Sequence, residues 1–364
     1  MVRNTLPGHD YTEQSVFSQE KSTVFAHSWF YAGLDHQVAE SGQWITVDVA
    51  GESVIILRAG DGGLRAFFNV CRHRGSQICD GSAGRAEGVL MCPYHAWCYD
   101  FDGALVATPR VGDDEVDRSQ LSLHPVHVDE WQGFLFVNLD RGTPMPLREW
   151  LAGQRDEPLS LERFDLGQLR LGVTTETIVN ANWKIIIENY CECLHCPTVH
   201  PELMDTVKAY RTGWVLEEGR DDGGVSLPPG GNSYSPMGLS TLTVMPSMNE
   251  VEANSIYGAM VFPNMFIDMA GTGLIASQLL PMGPDRTKVI AHYLFVAEDL
   301  VRDDFDPSPV VDFSELVARQ DFEVAERVQR GVSSSAFGQG VFAVKDEAVD
   351  VFVQRYLEAR DGAS

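Results

Sequence analysis

Between residues 44 and 140 the chain alternates short β-branched and aromatic runs with tight polar breaks. WITVDVAGESVIILRAGDGGLRAFFNV carries Gly-Glu and Asp-Gly-Gly turn signals between its apolar stretches. Tyr-Asp-Phe-Asp-Gly at 99–103 marks another turn, and GFLFVNL at 133–139 reads as a last buried strand. The pattern predicts a small all-β unit, preceded by an aromatic entry segment at Trp29, Phe30 and Tyr31. The polar stretch around 140–160 predicts a boundary.

Beyond it the period changes. TIVNANWKIIIENYCECLH places Ile185, Ile186, Tyr190 and Cys193 at helical spacing and predicts a helix. Residues 216–240 are too rich in Gly, Pro and Ser for a regular element, which predicts a lid or mobile segment. Strands follow at STLTVM, SIYGAMVF, TGLIASQLLP and TKVIAHYLFV, then an amphipathic helix over about 313–330 and a shorter one over about 345–359. There are no internal repeats. Strands set between helices without βαβ alternation indicate an α+β fold. The expected division is an N-terminal segment (1–43) packing on the second unit, a β domain (44–155) and a second domain of mixed helices and strands (156–364).

Composition narrows the function classes. With 52 acids against 27 bases the formal charge is -25, which argues against nucleic acid or an anionic membrane as partner. No apolar run approaches the roughly 20 residues a bilayer requires. The N-terminus lacks the apolar stretch of a signal peptide, so a cytoplasmic address is expected. The seven cysteines fall into two tight groups, Cys71, Cys79, Cys92, Cys98 and Cys191, Cys193, Cys196. There they are expected as thiols or metal ligands rather than disulfides.

The first group contains the sharper signal. Cys71-Arg72-His73 and Cys92-Pro93-Tyr94-His95 each place a Cys and a His within one turn of chain. Two thiolates for one iron and two imidazoles for the other are what a two-iron, two-sulfur cluster of mixed ligation needs. A structural zinc would accept the same four residues. Gly75 and Pro93 sit where ligand loops must turn, and Trp97 can shield a cluster edge. CRHRG at 71–75 and CPYHAW at 92–97 resemble the Rieske motif of Rieske non-haem iron oxygenases, which favours the cluster over zinc. Ala96 and Cys98 stand where that family more often has Gly and Thr or Ser. Cys79 and Cys98 are expected as small buried hydrophobes.

The second group surrounds His195 and His200, which can converge on one metal if the helix ends between them, as Pro197 favours. Two histidines and one carboxylate would leave open positions on ferrous iron. On chemistry alone Glu315, Asp321, Glu323 or Glu326 could supply the carboxylate. Resemblance selects Asp321, because Asp321, Glu326, Gln329 and Gly331 match the family's D-x4-E-x2-Q-x-G context. It also singles out Glu192, three residues before His195, as the acid that hydrogen-bonds this ligand and a cluster histidine of the neighbouring subunit. Glu192 and Asn189 are the candidate catalytic residues. Cys191, Cys193 and Cys196 are expected to be packing thiols beside the iron rather than a zinc cluster.

The resemblance spans Trp29 to Tyr356. It implies an all-β Rieske [2Fe-2S] domain plus a helix-grip (Bet v 1-like, START-like) catalytic domain with an antiparallel sheet. It implies a terminal oxygenase alpha subunit, a homotrimer, and electrons from NAD(P)H through a separate flavin reductase, with or without a ferredoxin. The absence of a GxGxxG unit agrees with that division of labour. Glu192 in place of Asp resembles the branch of carnitine and glycine betaine oxygenases, which hydroxylate or demethylate quaternary or N-methylated ammonium compounds. Such substrates call for an aromatic cage, for which Tyr257, Phe262, Phe266 and Tyr293 are available. The alternative is ring hydroxylation of an aromatic substrate in an apolar pocket, to which Met260, Met265, Leu280 and Met282 would contribute. Outside the class stand a Rieske electron carrier with a vestigial second domain and a zinc-stabilised binding module.

Overall fold

The structure is a computed structural model and describes residues 3–112, 115–215, 217, 220 and 222–362. It divides into two compact units, Phe25–Trp150 and a second one made of Leu151–Ser364 together with the residues up to Val24. The expected boundary at 43/44 therefore moves to 24/25. Phe30–Leu34, assigned above to the N-terminal segment, is a fully buried strand that pairs with Phe134–Asn138 and belongs to the β unit. The second boundary moves from 155/156 to 150/151.

In the β unit the apolar runs form a seven-stranded antiparallel sheet. Its order is Phe30–Leu34, Phe134–Asn138, Pro125–Trp131, Leu64–Phe68, Glu52–Arg58, Gln43–Val49 and Ala83–Arg85. A three-stranded sheet of Leu90–Met91, Cys98–Tyr99 and Leu105–Ala107 accompanies it. Trp44, Ile55, Leu57, Phe67, Trp97 and Tyr99 share one core with Cys71 and Cys92.

The catalytic unit is built on a six-stranded antiparallel sheet. Its order is Leu169–Val179, Arg286–Val296, Gly273–Gly283, Met265–Ala270, Ser255–Val261 and Val225–Ser226. Three of these, Leu169–Val179, Met265–Ala270 and the short Val225–Ser226, escaped the sequence reading, whereas STLTVM forms no strand. The helix expected from 177 starts at Trp183 and ends at Tyr190. Asn182 causes this: its backbone is extended and its side chain accepts the Lys184 N–H at 3.0 Å, an N-cap that leaves residues 177–179 in the strand. The late helices run over Ser308–Val332, longer than expected, and Glu347–Asp361, shifted by two residues from the expected span. Of the expected lid, positions 216, 218, 219 and 221 lie outside the described residues; the rest is irregular apart from Val225–Ser226 and a 3-10 turn at Pro236–Gly238.

A buried ion pair ties the first residues to this unit. Lys184 and Glu20 are both 0% exposed and in direct contact. Glu20 also accepts from the Trp183 indole at 3.0 Å and the Tyr356 hydroxyl at 2.8 Å. Burial drives the Lys184 ammonium towards its neutral form, and Glu20 opposes this. Removing one partner would strand the other charge in the core. Lys184→Met should therefore destabilise the unit by about 3–5 kcal/mol in denaturant unfolding, with much of the loss recovered in Glu20→Gln/Lys184→Met. A double variant no more stable than the single one would assign the loss to packing instead.

Candidate metal centres and catalytic cavity

In the β unit the two Cys-His loops close in the same way. The Gly75 N–H donates to Cys71 O and the Ala96 N–H to Cys92 O, both at 3.0 Å. Gly75 and Ala96 both take positive φ, +77° and +58°. Ala96 therefore occupies a left-handed position where glycine is the cheaper residue, which explains the glycine more usual there. Cys71 and Cys92 are buried in the same core, and burial pushes the Cys71 thiol up. His73 Nδ1 and His95 Nδ1 lie 3.2 Å apart. The four residues thus form a sulfur couple and a nitrogen couple, the donor set of a cluster with one thiolate-held and one imidazole-held iron. Trp97 stacks on His73 at 4.5 Å, and among the described residues its buried indole N–H has no hydrogen-bond partner. Tyr99, which the sequence reading did not single out, shares a hydrogen bond with Cys71 Sγ (3.3 Å) while its hydroxyl accepts the Arg72 N–H (3.0 Å). Cys79 packs as a buried thiol, whereas Cys98 is only partly buried and donates to Ala96 O at 3.3 Å.

In the catalytic unit His195, His200 and Asp321 offer ligand atoms within 4.8 Å of one another. The two histidines are not separated by the end of one helix, as expected. The helix has already ended at Tyr190, and each histidine precedes a short helix opened by proline, Cys196–Val199 and Pro201–Thr206. Both Nε2 atoms meet Asp321 Oδ1, at 3.2 Å from His195 and 2.9 Å from His200. Each Nδ1 is held from behind, His195 by Glu192 Oε1 at 2.6 Å and His200 by Gln320 Oε1 at 2.8 Å. Gln320 is fixed in turn, donating to Glu202 at 2.9 Å. An imidazole that donates through Nδ1 presents Nε2 as the lone pair a metal requires. The Asn189 amide lies 3.4 Å from His195 Nε2. Burial opposes the His195 imidazolium, but the hydrogen bonds it donates to Asp321 and Glu192 outweigh this and raise its pKa to about 9. Burial likewise opposes the Asp321 carboxylate, yet both histidines hold it below the usual range. Two imidazoles and a carboxylate suit ferrous iron.

These donors open on a cavity of about 170 Å³, lined by Asn189, Tyr190, Tyr210, Tyr234, Gly258 and Asp268 among others.

Comparison with known proteins matches both units. A family model for the Rieske [2Fe-2S] domain matches residues 28–124, and one described as the ring hydroxylating alpha subunit (catalytic domain) matches residues 149–362. The chain belongs to the Rieske non-haem iron oxygenases. It is 31% identical over 347 residues to the carnitine monooxygenase oxygenase subunit of Acinetobacter baumannii, covering 92% of this chain and 87% of that protein. To the glycine betaine monooxygenase oxygenase subunit of Chromohalobacter salexigens it is 28% identical, covering 93% and 82%. Among solved structures, a quaternary ammonium Rieske monooxygenase in complex with L-carnitine superposes with a TM-score of 0.79 at 27% identity, covering 99% of this chain and 96% of that one.

For a Rieske oxygenase the pocket wall differs from expectation in two ways. None of the four aromatics offered for a cage lines the cavity. Tyr257 is one residue off Gly258 and so faces the other side of the sheet, donating to Asp222 at 3.0 Å. Phe262 packs on Trp183, Phe266 stacks behind Tyr190 at 3.9 Å, and Tyr293 donates to Glu315 at 2.9 Å. The alternative apolar set fares no better: Met260, Met265, Leu280 and Met282 also stay out of the lining. The second difference is that Cys193 and Cys196, expected as thiols, form a disulfide around His195. Their Cα atoms lie 5.0 Å apart, within bridging range. Cys191 remains a buried thiol, as expected.

Asp321→Ala should abolish mononuclear iron binding while the visible absorbance of the cluster persists; joint loss of both metals would contradict the division of donors. Gln320→Leu should weaken iron binding by about 10–100-fold in a chelator competition, since it frees the His200 ring without touching a ligand.

Proposed function

We propose that this chain is the oxygenase subunit of a multi-component monooxygenase that hydroxylates or demethylates a quaternary or N-methylated ammonium compound. The observation that carries the oxygenase reading is the convergence of His195, His200 and Asp321 on one cavity, with each imidazole oriented from behind. The substrate class rests on the likeness to carnitine and glycine betaine monooxygenase subunits across nearly the whole chain. These relatives favour it over ring hydroxylation.

In this reading Cys71 and Cys92 hold one iron of the cluster, His73 and His95 the other, and His195, His200 and Asp321 the mononuclear iron. When bound, the cluster supplies single electrons and ferrous iron supplies dioxygen activation. The chain's own part is positional. Glu192 holds the Nδ1 proton of His195, Gln320 holds that of His200, and Asn189 steadies the His195 ring from the cavity side. The walls place the substrate and exclude bulk water. Electrons come from NAD(P)H through a separate flavin reductase, with or without a ferredoxin, which fits a cytoplasmic address. The working assembly is a homotrimer in which a cluster histidine of one copy meets Glu192 of the next. Glu192 supports this because its side chain binds His195 yet stays partly exposed.

With iron, a reductase and NADH, betaines, carnitine or choline should stimulate oxygen uptake and yield an aldehyde product. Uptake stimulated only by aromatic acids would favour ring hydroxylation, and uptake with none would overturn the reading. Glu192→Gln should keep both metals but slow single-turnover electron delivery by about a hundredfold. A normal single-turnover rate would remove Glu192 from the electron path.

A further inference from the structure

The cavity contains one carboxylate, Asp268, that neither the metal centre nor an ion pair uses. Asp268 sits on Met265–Ala270 in the six-stranded sheet, register-paired with Gly258 on one side and Ile275 on the other. Gly258 keeps the space before it open. A Cβ at that position would stand 3.3 Å from the Tyr190 hydroxyl and 3.8 Å from Asp268 Oδ1. A glycine inside a strand commonly marks such a close approach of a ligand.

The other acids of the lining are committed. Asp321 and Glu192 hold histidines, and Asp156 accepts the Met260 N–H at 3.0 Å and pairs with Arg155. Asp268 has only a neutral donor, the Tyr190 hydroxyl at 3.1 Å, which Ile267 O shares at the same distance. Among the described residues no basic side chain comes within ion-pair distance of Asp268. Burial raises its pKa to about 7, the Tyr190 hydrogen bond opposes this, and the like charge of Asp321 adds to it. A carboxylate in that position is costly until a positive charge arrives. Tyr190, Tyr210 and Tyr234 line the same cavity. A hollow with aromatic walls and one unpaired acid complements a cation that has no N–H to donate and carries its charge beneath methyl groups.

We propose that Asp268 is the counter-ion that selects a cationic substrate, with Tyr190, Tyr210 and Tyr234 as the walls around the methylated ammonium head. The assignment rests on the quaternary ammonium reading above and deepens it by placing the selectivity on one residue.

The test compares choline with 3,3-dimethylbutan-1-ol, which has the same shape with carbon in place of the charged nitrogen, by calorimetry on the iron-loaded protein. The wild-type chain should bind choline at least about tenfold more tightly. Asp268→Asn should lose that preference with iron content and cluster absorbance unchanged, and Asp268→Glu should retain most of it. A wild-type chain that binds both alike, or neither, overturns the assignment, as does an Asp268→Asn variant that still prefers the cation. The wild-type comparison decides even where Asp268→Asn fails to hold iron. Cation preference without oxygen uptake on any ammonium compound would sink the proposed function and leave this assignment standing. Uptake by a chain indifferent to the charge would do the reverse.

Discussion

The catalytic unit depends on the register between one long helix and one short one. Asp321 must reach two histidines that lie more than a hundred residues earlier, and the contacts that hold Ser308–Val332 in place achieve this. Near its start Glu315 accepts from the hydroxyls of Thr175 (2.7 Å) and Tyr293 (2.9 Å). Near its end Glu326 accepts from the Asn180 N–H (3.0 Å), and Gln329 from the Asn182 N–H (2.8 Å). Asn182 is also the cap that starts the helix leading to Glu192 and His195. Eight residues of helix separate Asp321 from Gln329, a rigid span of about 12 Å. One backbone amide thereby fixes where both ligand-bearing segments begin. The D-x4-E-x2-Q spacing is the covalent record of that geometry. Gly331 has open space around it, and nothing in the structure explains its place in the motif.

Around this register the unit spends buried polarity freely. Glu20, Lys184, Trp183 and Tyr356 form one network, and Tyr11 adds a second contact by donating to Glu188 at 2.8 Å. Both sit along the helix Trp183–Tyr190, so the first residues of the chain brace that helix from its capped end, at Trp183 and Lys184, to Glu188. Such groups are weak sources of stability, but they specify one arrangement and penalise others. That is a useful property where a misplacement of about 1 Å would spoil a metal site.

The metal motifs were legible because they are local. Cys71 and His73, Cys92 and His95, and His195 and His200 are close in sequence, and their side-chain types already name the chemistry. Asp321 was not legible from the residues, since Glu315, Asp321, Glu323 and Glu326 share one helix and only tertiary partners tell them apart. The structure supplies two of those partners: Glu315 and Glu326 are hydrogen-bonded to the sheet side and its exit, leaving Asp321 to the histidines. Gln320 was hidden for the same reason, because its role depends on a ring 120 residues away. Tyr257 failed on strand parity, since one position along a strand reverses the face and it lost to Gly258 by that single step. Phe266 and Tyr293, by contrast, share the face of Asp268 but are covered by Tyr190 and bound to Glu315. Leu169–Val179 was missed because its polar positions outnumber its apolar ones along much of its length. Cys193-x-x-Cys196 has the spacing of a metal knuckle, a thiol pair and a bridge alike, so spacing could not choose among them.

Gly258 carries a consequence for how such enzymes diverge. The hollow before Asp268 exists because one strand residue has no side chain, and every substitution there would grow directly towards the acid and the Tyr190 hydroxyl. The strand itself would persist, since its hydrogen-bonded ladder needs only the backbone. A single codon thus acts as a dial on the size of head group admitted, independent of the metal ligands and of the helix register that holds them. Lineages can change what they accept while the oxidising apparatus stays untouched.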